Sequence, residues 1–359
     1  MSHLVGGPAA LGTDAGSSLA NGSKLMLRLA GADDTTETVE SVKKNRRPFL
    51  RYAWLALQVF VGLAVLATLC GFFARLWWPL ELICHFRVQY FLILTVCAGL
   101  LLLGRRHRQA AIAGVFSLVN LAGIVPLYFG GPTIEDDKPS LRILSLNVLT
   151  KNKECDQVLE LVGREMPDLI VLSEVNDRWI TALNGLVGQY PYQRIVSRND
   201  HFGIAVYSRI PLEKANVELL TDGNSVIAVH LRVNGQPLRI LGAHVMSPVG
   251  RLRADLRNQQ LAQLARIAAA SNEPTILIGD LNITSWSPYF SDLVRDSGLN
   301  DSCRGFGLQS SWASPLLPFI RLPIDHCLVS PDVLIHDRRV ELATGSDHDA
   351  LIVDISLRR

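Results

Sequence analysis

The feature that most restricts the fold is a run of 23 residues without a charged side chain, from Tyr52 to Ala74. As an α-helix such a run is roughly 34 Å long, enough to cross the hydrocarbon core of a bilayer. Two further uncharged runs follow, a short one from Val88 to Gly104 and a longer one from Gln109 to Gly130. Together they predict a bundle of about three transmembrane helices in residues 49–131, with spans at about 52–74, 88–104 and 109–130.

Two alternatives for this region are disfavoured. Buried helices of a soluble protein rarely form three such runs separated only by short charged breaks. A cleaved signal peptide is also disfavoured, because the first apolar run starts too late and is too long.

The distribution of basic residues predicts the orientation of these spans. Basic side chains cluster before the first run and between the second and third, while acidic residues 135–137 follow the third. By the positive-inside rule the N-terminus lies in the cytoplasm and the C-terminal domain lies outside an inner membrane, after three crossings. If the short second run only dips into the membrane, the domain lies in the cytoplasm instead. The clustered residues are Lys43, Lys44, Arg46, Arg47, Arg51, Arg105, Arg106 and Arg108.

The remaining sequence divides into a polar segment, residues 1–48, and a segment of ordinary globular composition, residues 139–359. The first has no apolar periodicity over most of its length and is predicted to be a disordered cytoplasmic tail. The second has 22 Lys and Arg residues against 24 Asp and Glu residues. It therefore lacks the basic surface expected of a dedicated duplex-DNA-binding protein. The six cysteines form no CxxC pair, so no zinc or disulfide framework is indicated.

Residues 139–359 read as short strands with a few helices. The sequence "NGQP" between two apolar runs indicates a hairpin. This mixture of hairpins and helices predicts stacked sheets flanked by helices rather than a purely parallel sheet. The predicted strands are 141–148, 169–174, 203–208, 226–233, 238–244, 275–280, 324–330 and 350–355, and the predicted helices are 156–164, 177–186 and 251–270.

Polar residues recur at the ends of the predicted strands. Each of them alone is compatible with a local turn. As a set they supply carboxylates, carboxamides and imidazoles, and no Ser or Cys has the surroundings of a nucleophile. Oxygen ligands of this kind suit Mg²⁺ or Mn²⁺. The set comprises Asn147, Glu174, His244, Asp280, Asn282, Asp325, Asp347 and His348.

Seven short motifs contain these residues, in the order "LSLNV", "LIVLSEV", "GIAVYSR", "GAHVMSP", "GDLNITSWSP", "PIDHCLVS" and "GSDHDALIV". In this order they resemble the deoxyribonuclease I-like endonuclease/exonuclease/phosphatase superfamily over residues 141–356, and most of all its bacterial membrane-anchored branch. The resemblance implies an α/β (α+β) fold, a four-layer α/β/β/α sandwich with two packed mixed sheets. It also implies a site at one edge of those sheets.

The resemblance implies a metal centre of Mg²⁺ or Mn²⁺. Glu174 would be the main carboxylate ligand, with Asn147 and Asp347 as further ligands or as residues that orient them. Bound metal would neutralise charge on the phosphate oxygens and stabilise the leaving oxygen. Asp280 would orient or deprotonate the attacking water, and Asn282 would donate its amide to a phosphate oxygen.

The resemblance also implies roles for two histidines. His348 would be held by Asp325 and serve as a base or as a charged phosphate clamp. His244 would contact phosphate or protonate the leaving group, and no covalent intermediate is expected. Beyond the motifs, Arg251 and Arg257 begin the helix after His244. A role in binding the substrate phosphate and a plain solvated helix face are both open for these two arginines.

The sequence therefore predicts a membrane-anchored, divalent-metal-dependent hydrolase of phosphate esters. A phosphodiesterase or nuclease outside the cytoplasm is the first hypothesis, and a phospholipid head-group or phosphomonoester phosphatase is the alternative. The expected partners are a phosphate-ester substrate, nucleic acid or phospholipid head group, and the lipid bilayer, with no obligate protein partner evident. A non-catalytic protein of this fold would have lost the polar set, and a transporter would need charges inside the spans.

Overall fold

The structure, a computed structural model, describes residues 34–131, 139–342 and 345–358. Its described residues fall into two compact units, one that ends at Leu55 and one that begins at Ala56. Up to residue 33, the predicted disordered tail lies outside the described residues. Residues 34–48 are helical, which corrects the prediction for this part. No Gly or Pro occurs between Asp34 and Arg47, so nothing in that stretch interrupts a helix.

Four helices form the apolar region. Two stretches, Leu50–Gly71 and His107–Tyr128, are long and apolar enough to cross a membrane. A short helix and the helix after it meet at a bend of 62° and could together form a third, broken span. The helices are α1 (Asp34–Gly71), α2 (Trp78–Cys84), α3 (Arg87–Leu103) and α4 (His107–Ile124), and a 3₁₀ helix, Val125–Tyr128, follows. The predicted second span is therefore bent, and the first ends at Gly71 rather than Ala74.

Polar side chains connect these helices in their interior, while large apolar side chains point outwards. The Asn120 amide donates to the Thr68 hydroxyl over 2.9 Å, and the hydroxyls of Thr95 and Ser117 lie 2.7 Å apart. Outward-facing side chains such as Leu63, which is 59% exposed, cover the opposite surfaces. The interior of these helices thus combines hydrogen-bonded polar side chains with buried apolar ones such as Leu94 and Leu101.

The rest of the second unit contains fourteen strands and four helices in the described residues. The strands are β1 (Leu141–Asn147), β2 (Leu169–Ser173), β3 (Tyr192–Val196), β4 (Ile204–Ser208), β5 (Leu212–Leu219), β6 (Ser225–Val233), β7 (Gln236–His244), β8 (Thr275–Asp280), β9 (Asn300–Asp301), β10 (Trp312–Ala313), β11 (Arg321–Leu322), β12 (Asp325–Val329), β13 (Val333–Glu341) and β14 (Ala350–Leu357). The helices are α5 (Cys155–Glu165), α6 (Asp177–Ala182), α7 (Arg251–Ala269) and α8 (Pro288–Ser297), and a 3₁₀ helix, Leu183–Leu186, follows α6.

Two six-stranded mixed sheets carry the fold. Their strand orders are β13-β14-β1-β2-β4-β3 and β5-β6-β7-β8-β12-β9, while β10 and β11 form a separate two-stranded ribbon. Each sheet contains one parallel pair, β1 with β2 and β7 with β8, and antiparallel neighbours around it. The expected two packed mixed sheets are thus observed.

Three apolar layers hold the sandwich together. The side chains between the two sheets, Val171, Ile240 and Ile278 among them, form the central core. A second cluster packs α5 and α6 on the outer face of the first sheet. A third packs α7 and α8 on the outer face of the second sheet. The order of layers is therefore α/β/β/α.

Each predicted strand corresponds to an observed one with small shifts at its ends. The hairpin indicated by "NGQP" joins β6 to β7 through Asn234 (φ 52°) and Gly235 (φ 84°), a left-handed pair that suits a tight turn. Unpredicted elements include β3, β5 and β13, whose partly exposed faces mix charged and apolar residues. Helix α8 was also missed, although Ser287 caps it by accepting a hydrogen bond from the Tyr289 amide.

Candidate active site

Strand register brings three of the predicted site residues to one level of the second sheet. His244 pairs with Asp280 across the parallel β7–β8 ladder. Asp325 pairs with Asp280 across the antiparallel β8–β12 ladder. Paired residues on neighbouring strands lie about 5 Å apart, so these side chains share one sheet edge.

Gly279 allows this close arrangement. It has φ +145°, and a Cβ atom at this position would lie 1.9 Å from the carbonyl oxygen of Ala243. Any side chain here would therefore push β7 away from β8 just before Asp280.

Asn147 joins the two sheets at this edge. It ends β1, beside Glu174 at the end of β2, and its amide donates to Glu174 Oε1 over 3.2 Å and to Asp280 Oδ2 over 3.1 Å. Glu174 belongs to the first sheet and Asp280 to the second. The site therefore straddles the edge of the sandwich, as the resemblance implied.

His348 lies between two buried carboxylates. Its Nδ1 is 2.8 Å from Asp325 Oδ2, and its Nε2 is 3.5 Å from Asp280 Oδ2. Burial opposes a charged imidazole, but Asp325 and Asp280 outweigh this effect and raise the pKa of His348 to about 10. The same arrangement lowers the pKa of Asp325 despite its burial, because His348 stabilises the carboxylate. We therefore expect His348 to be an imidazolium at neutral pH.

Asp280 differs from its neighbour Asp325. Burial raises the pKa of Asp280, and the nearby negative charge of Asp325 adds to the effect, although His348 and His244 oppose it. A carboxylate with a raised pKa is a stronger base than an exposed one. Its position at the meeting point of Asn147, His244 and His348 suits the handling of a proton.

Glu174 is held in an unusual backbone conformation. Its φ is +65°, which is rare for a residue other than glycine. Its carboxylate accepts from the backbone amide and the hydroxyl of Thr150 and from Asn147, and it lies 3.1 Å from His201 Nδ1. Burial acts to raise the pKa of Glu174, but these hydrogen bonds and the charge of His244 lower it. Glu174 is therefore an ionised carboxylate directed at the site.

Two further predicted residues complete the same edge. His244 Nε2 lies 3.5 Å from Asp280 Oδ2, and its ring packs at 5.4 Å from that of Phe202. Asn282, with φ +47°, donates its amide to the carbonyl oxygen of Val245 over 3.0 Å. Both residues line the cavity described below.

Asp347 lies next to His348 and is oriented by an aromatic residue. The Trp312 indole donates to Asp347 Oδ2 over 3.0 Å, and the Ala313 amide donates to the Asp347 carbonyl over 2.9 Å. The β10–β11 ribbon therefore fixes the loop that carries Asp347 and His348.

The two arginines considered for phosphate binding lie away from this edge. Arg257 is fully buried, pairs with Glu81 of α2 over 2.7 Å, and donates to the carbonyl of Asn282. The side chain of Arg251 is 85% exposed and lies 4.0 Å from Asp255, one helical turn onward. The prediction for this pair is corrected, because Arg257 forms a buried ion pair and Arg251 is a solvated helix residue. Arg253 of the same helix lines the cavity instead.

A cavity of about 610 Å³ opens over the site. Its polar floor consists of Asn147, Glu174, His244, Asp280, Asn282, Asp347 and His348, while Asp325 lies behind His348. One wall comes from the apolar region and includes Leu82, His85 and Phe86.

Several residues of the site were not found by sequence reasoning. Thr150, His201 and Trp312 hold the predicted ligands Glu174 and Asp347. They lie on loops or a short ribbon, where no periodic pattern marks them. A positive φ at Glu174 and the contribution of α2 are also invisible in the sequence, because both arise from packing between distant segments.

Comparison with known proteins agrees with this geometry. Residues 144–348 match the Endonuclease/Exonuclease/phosphatase family. The chain belongs to this family. Its members hydrolyse phosphate esters.

Individual relatives are distant. A phospholipase C of Staphylococcus aureus is 22% identical over 180 residues, which cover 40% of this chain and 54% of the relative, so the chain spans about half the length of that protein. The structure of D. rerio TDP2 with a single-strand DNA product has a TM-score of 0.52 and 17% identity and covers 60% of this chain and 98% of TDP2. The 3' phosphatase NExo from Neisseria, bound to a product DNA hairpin, has a TM-score of 0.52 and 22% identity over 60% of this chain and 99% of its own.

The donor set fits a divalent cation. Family members use divalent metals, and ligand atoms of Asp280, Asp325 and His348 lie within 4.8 Å of one another. We expect His348 to be an imidazolium, however, and a charged imidazole has no free nitrogen for a metal, which makes this trio less suited to a cation than its spacing indicates. Glu174, ionised and directed into the cavity, is the better anchor for a hard cation.

Proposed function

We propose that this chain is a membrane-anchored, divalent-metal-dependent phosphodiesterase whose catalytic domain lies outside the cytoplasm. The observation that supports the reaction most directly is the buried Asp280–His348–Asp325 arrangement beneath an open cavity. It combines a basic carboxylate with a fixed positive charge, which hydrolysis of a phosphate ester requires.

Each residue of the floor has a proposed task. Glu174, with Asn147 and Asp347, would hold Mg²⁺ or Mn²⁺, and bound metal would withdraw charge from the phosphate and its leaving oxygen. Asp280 would orient a water molecule and accept its proton as the water oxygen attacks phosphorus. The His348 imidazolium would hold a phosphate oxygen, with Asp325 fixing its tautomer and ring orientation.

The remaining polar groups would bind the phosphate. Asn282 would donate its amide to a phosphate oxygen, and His244 would contact the phosphate or return a proton to the leaving oxygen. Because the floor offers no nucleophilic Ser or Cys, the reaction would be a direct attack by water. One P–O bond forms from water, one P–O bond breaks, and the leaving oxygen gains the proton.

The placement in the membrane rests on two observations. Two stretches are long and apolar enough to cross a bilayer, and the bent pair α2–α3 completes a third crossing in the proposal. The flanking basic residues favour a cytoplasmic N-terminus.

Fusions to alkaline phosphatase test this topology in a bacterial host. A fusion at the C-terminus should be active, and a fusion at Arg106 should be inactive. The reverse result would place the domain in the cytoplasm.

Hydrolysis of bis(p-nitrophenyl) phosphate by the full chain in detergent tests the reaction. We expect hydrolysis with Mg²⁺ or Mn²⁺ and its loss with EDTA. A folded sample that hydrolyses neither this ester nor DNA nor a phospholipid would refute the proposal. Relatives include a phospholipase C and structures with DNA products, so similarity alone leaves nucleic acid and lipid open as substrates.

A further inference from the structure

We infer that the substrate is an amphiphilic phosphate ester from the bilayer, whose apolar tail lies against a cavity wall built by the membrane region. This inference rests on the proposed phosphodiesterase activity and adds the class of substrate. It is carried by the composition of the cavity, by the attachment of α2 and by the β10–β11 ribbon.

The cavity has two chemically different ends. Its floor carries the charged groups that act on phosphate, and its walls add apolar side chains from three separate parts of the chain. Helix α2 and its turn into α3 supply Leu82 and Phe86, and the loop before α7 supplies Met246, Pro248 and Val249. The strand region before β12 supplies Leu322 and Ile324. A cavity with one polar and one apolar end suits a ligand with the same division.

Helix α2 is firmly attached to the catalytic domain. Glu81 pairs with the fully buried Arg257 over 2.7 Å and accepts from the Ser287 hydroxyl over 2.8 Å. His85 Nδ1 lies 2.8 Å from the Thr284 hydroxyl. Such buried polar contacts fix the position of α2, because breaking any of them leaves a buried polar group without a hydrogen-bond partner, which is energetically costly. The apolar wall is therefore a built part of the site.

This wall is continuous with the proposed membrane spans. Leu82 and Phe86 lie in the bent pair α2–α3, and the adjoining part of α3 exposes large side chains such as Leu92 and Val96. The apolar wall of the cavity and the exposed apolar side chains of α3 are therefore close in the chain, within one pair of helices. A soluble phosphate ester without an apolar tail gains no binding energy from this apolar surface.

The β10–β11 ribbon provides an independent observation. Gln89 of α3 donates to the carbonyl of Arg321 over 3.1 Å, and Trp312 donates to Asp347 at the active site. Between its strands the ribbon exposes three large apolar side chains, Leu316 (89%), Leu317 (45%) and Phe319 (77%). Exposed apolar tips of this kind are costly in water and favourable at a lipid surface.

Charge also favours a lipid over nucleic acid. Residues 139–359 carry two more acidic than basic residues, whereas proteins that grip a nucleic acid backbone neutralise many phosphates with Lys and Arg. One exposed basic residue of the cavity lining, Arg253, suffices for a single phosphate ester.

A series of p-nitrophenyl alkyl phosphates, from methyl to octyl and below their micellar concentrations, tests the inference on the full chain. Because each buried methylene favours binding, kcat/KM should rise by at least 10-fold from methyl to octyl. In Leu82→Ala and Phe86→Ala this rise should shrink several-fold, because each variant removes apolar surface that the longer alkyl chains would cover. Leu63→Ala, at an exposed residue of α1 that does not line the cavity, is the matched control and should preserve the full rise.

The possible outcomes separate the two proposals. If all esters are hydrolysed at equal rates, or if the rise persists unchanged in both wall variants, the lipid inference is wrong and the phosphodiesterase stands. Faster cleavage of single-stranded DNA than of any ester or phosphatidylglycerol vesicle would likewise overturn the inference. A folded chain that hydrolyses nothing refutes both.

The ribbon has its own experiment. Phe319→Ser should lower hydrolysis of phosphatidylglycerol vesicles several-fold while leaving the soluble octyl ester unaffected, because only the vesicle requires contact with a lipid surface. Met166→Ser, at another exposed apolar residue, is the control. Equal rates on vesicles for Phe319→Ser and the unaltered chain would remove the ribbon from the inference.

Discussion

Among the residues that the structure describes, two buried clusters bring carboxylate and histidine ligand atoms together, and they differ in their charge balance. Asp280, Asp325 and His348 have two carboxylates for one imidazole. Glu81 and His85 also bring ligand atoms within metal-binding distance, but Arg257 neutralises Glu81. The first cluster has surplus negative charge beneath a cavity, and this charge holds a proton on His348. In the second cluster the charge of Arg257 balances that of Glu81, and the cluster holds α2 in position.

The comparison shows that proximity of ligand-type residues is a poor guide to chemistry by itself. Charge balance decides, because a neutralised cluster has nothing to gain from binding a cation. Substitutions at the two clusters and at two sites outside them test this difference in charge balance.

The largest effect is expected at the unbalanced cluster. His348→Ala should lower kcat/KM for bis(p-nitrophenyl) phosphate by about 10³-fold or more, since both a fixed charge and a partner of Asp280 are lost. Circular dichroism should remain unchanged. His336→Ala is the control and should retain activity, because His336 forms its hydrogen bond with the Ser356 hydroxyl. A modest loss in His348→Ala would mean that the cluster is structural like its counterpart.

The balanced cluster should respond in stability. Arg257→Met leaves the Glu81 carboxylate buried without its partner, so we expect the free energy of unfolding to fall by about 3–5 kcal/mol. Glu81→Leu combined with Arg257→Met should recover part of this loss. Arg251→Met, at an exposed residue nearer the start of the same helix, should change stability little. If Arg257→Met instead abolished activity at full stability, the original phosphate-binding hypothesis would be restored.

An intermediate effect is expected where the ribbon meets the proposed metal ligand. Trp312→Phe removes the indole donor to Asp347, and loss of such an orienting group weakens metal affinity by about 10-fold to 100-fold. Titration with Mn²⁺ monitored by electron paramagnetic resonance measures this directly. Trp286→Phe removes a comparable donor, to the carbonyl of Gly123, and should leave Mn²⁺ affinity unaltered. Unchanged affinity in Trp312→Phe would take Asp347 out of the metal site.

The smallest effect is expected at an ion pair outside both clusters. Burial opposes ionisation of Glu165 at the end of α5, but Arg339 and Arg164 lower its pKa overall. A carboxyl group whose pKa is lower in the folded state stabilises the fold at pH values above its unfolded-state pKa of about 4.3. This stability is lost as pH falls through the folded-state pKa. Glu165→Gln should therefore lower the melting temperature by a few degrees at pH 7 and by less near pH 3. Glu160→Gln on the same helix is the exposed control, and an equal loss at both pH values would contradict the assignment.

Much of the fold was predictable because strand-length apolar runs repeat in residues 139–359. The strands that carry Asn147, Glu174, His244 and Asp280 are apolar enough to be recognised, and the polar residues at their ends mark the site. Strands β3, β5 and β13 were missed because edge and partly exposed strands lack a uniform pattern. A phosphate-binding role stayed open for Arg251 and Arg257 because sequence position does not reveal which side of a helix is buried.

The sequence by itself indicated the family, the polar residues at the strand ends and the long uncharged runs, since these are local features that do not depend on packing. Tertiary structure alone decided which charges remain unbalanced. It set Arg257 against Glu81, placed Asn147 between Glu174 and Asp280, and brought Leu82 and Phe86 to the cavity. These contacts join residues far apart in the chain, and their energies depend on burial and distance, which no stretch of sequence contains.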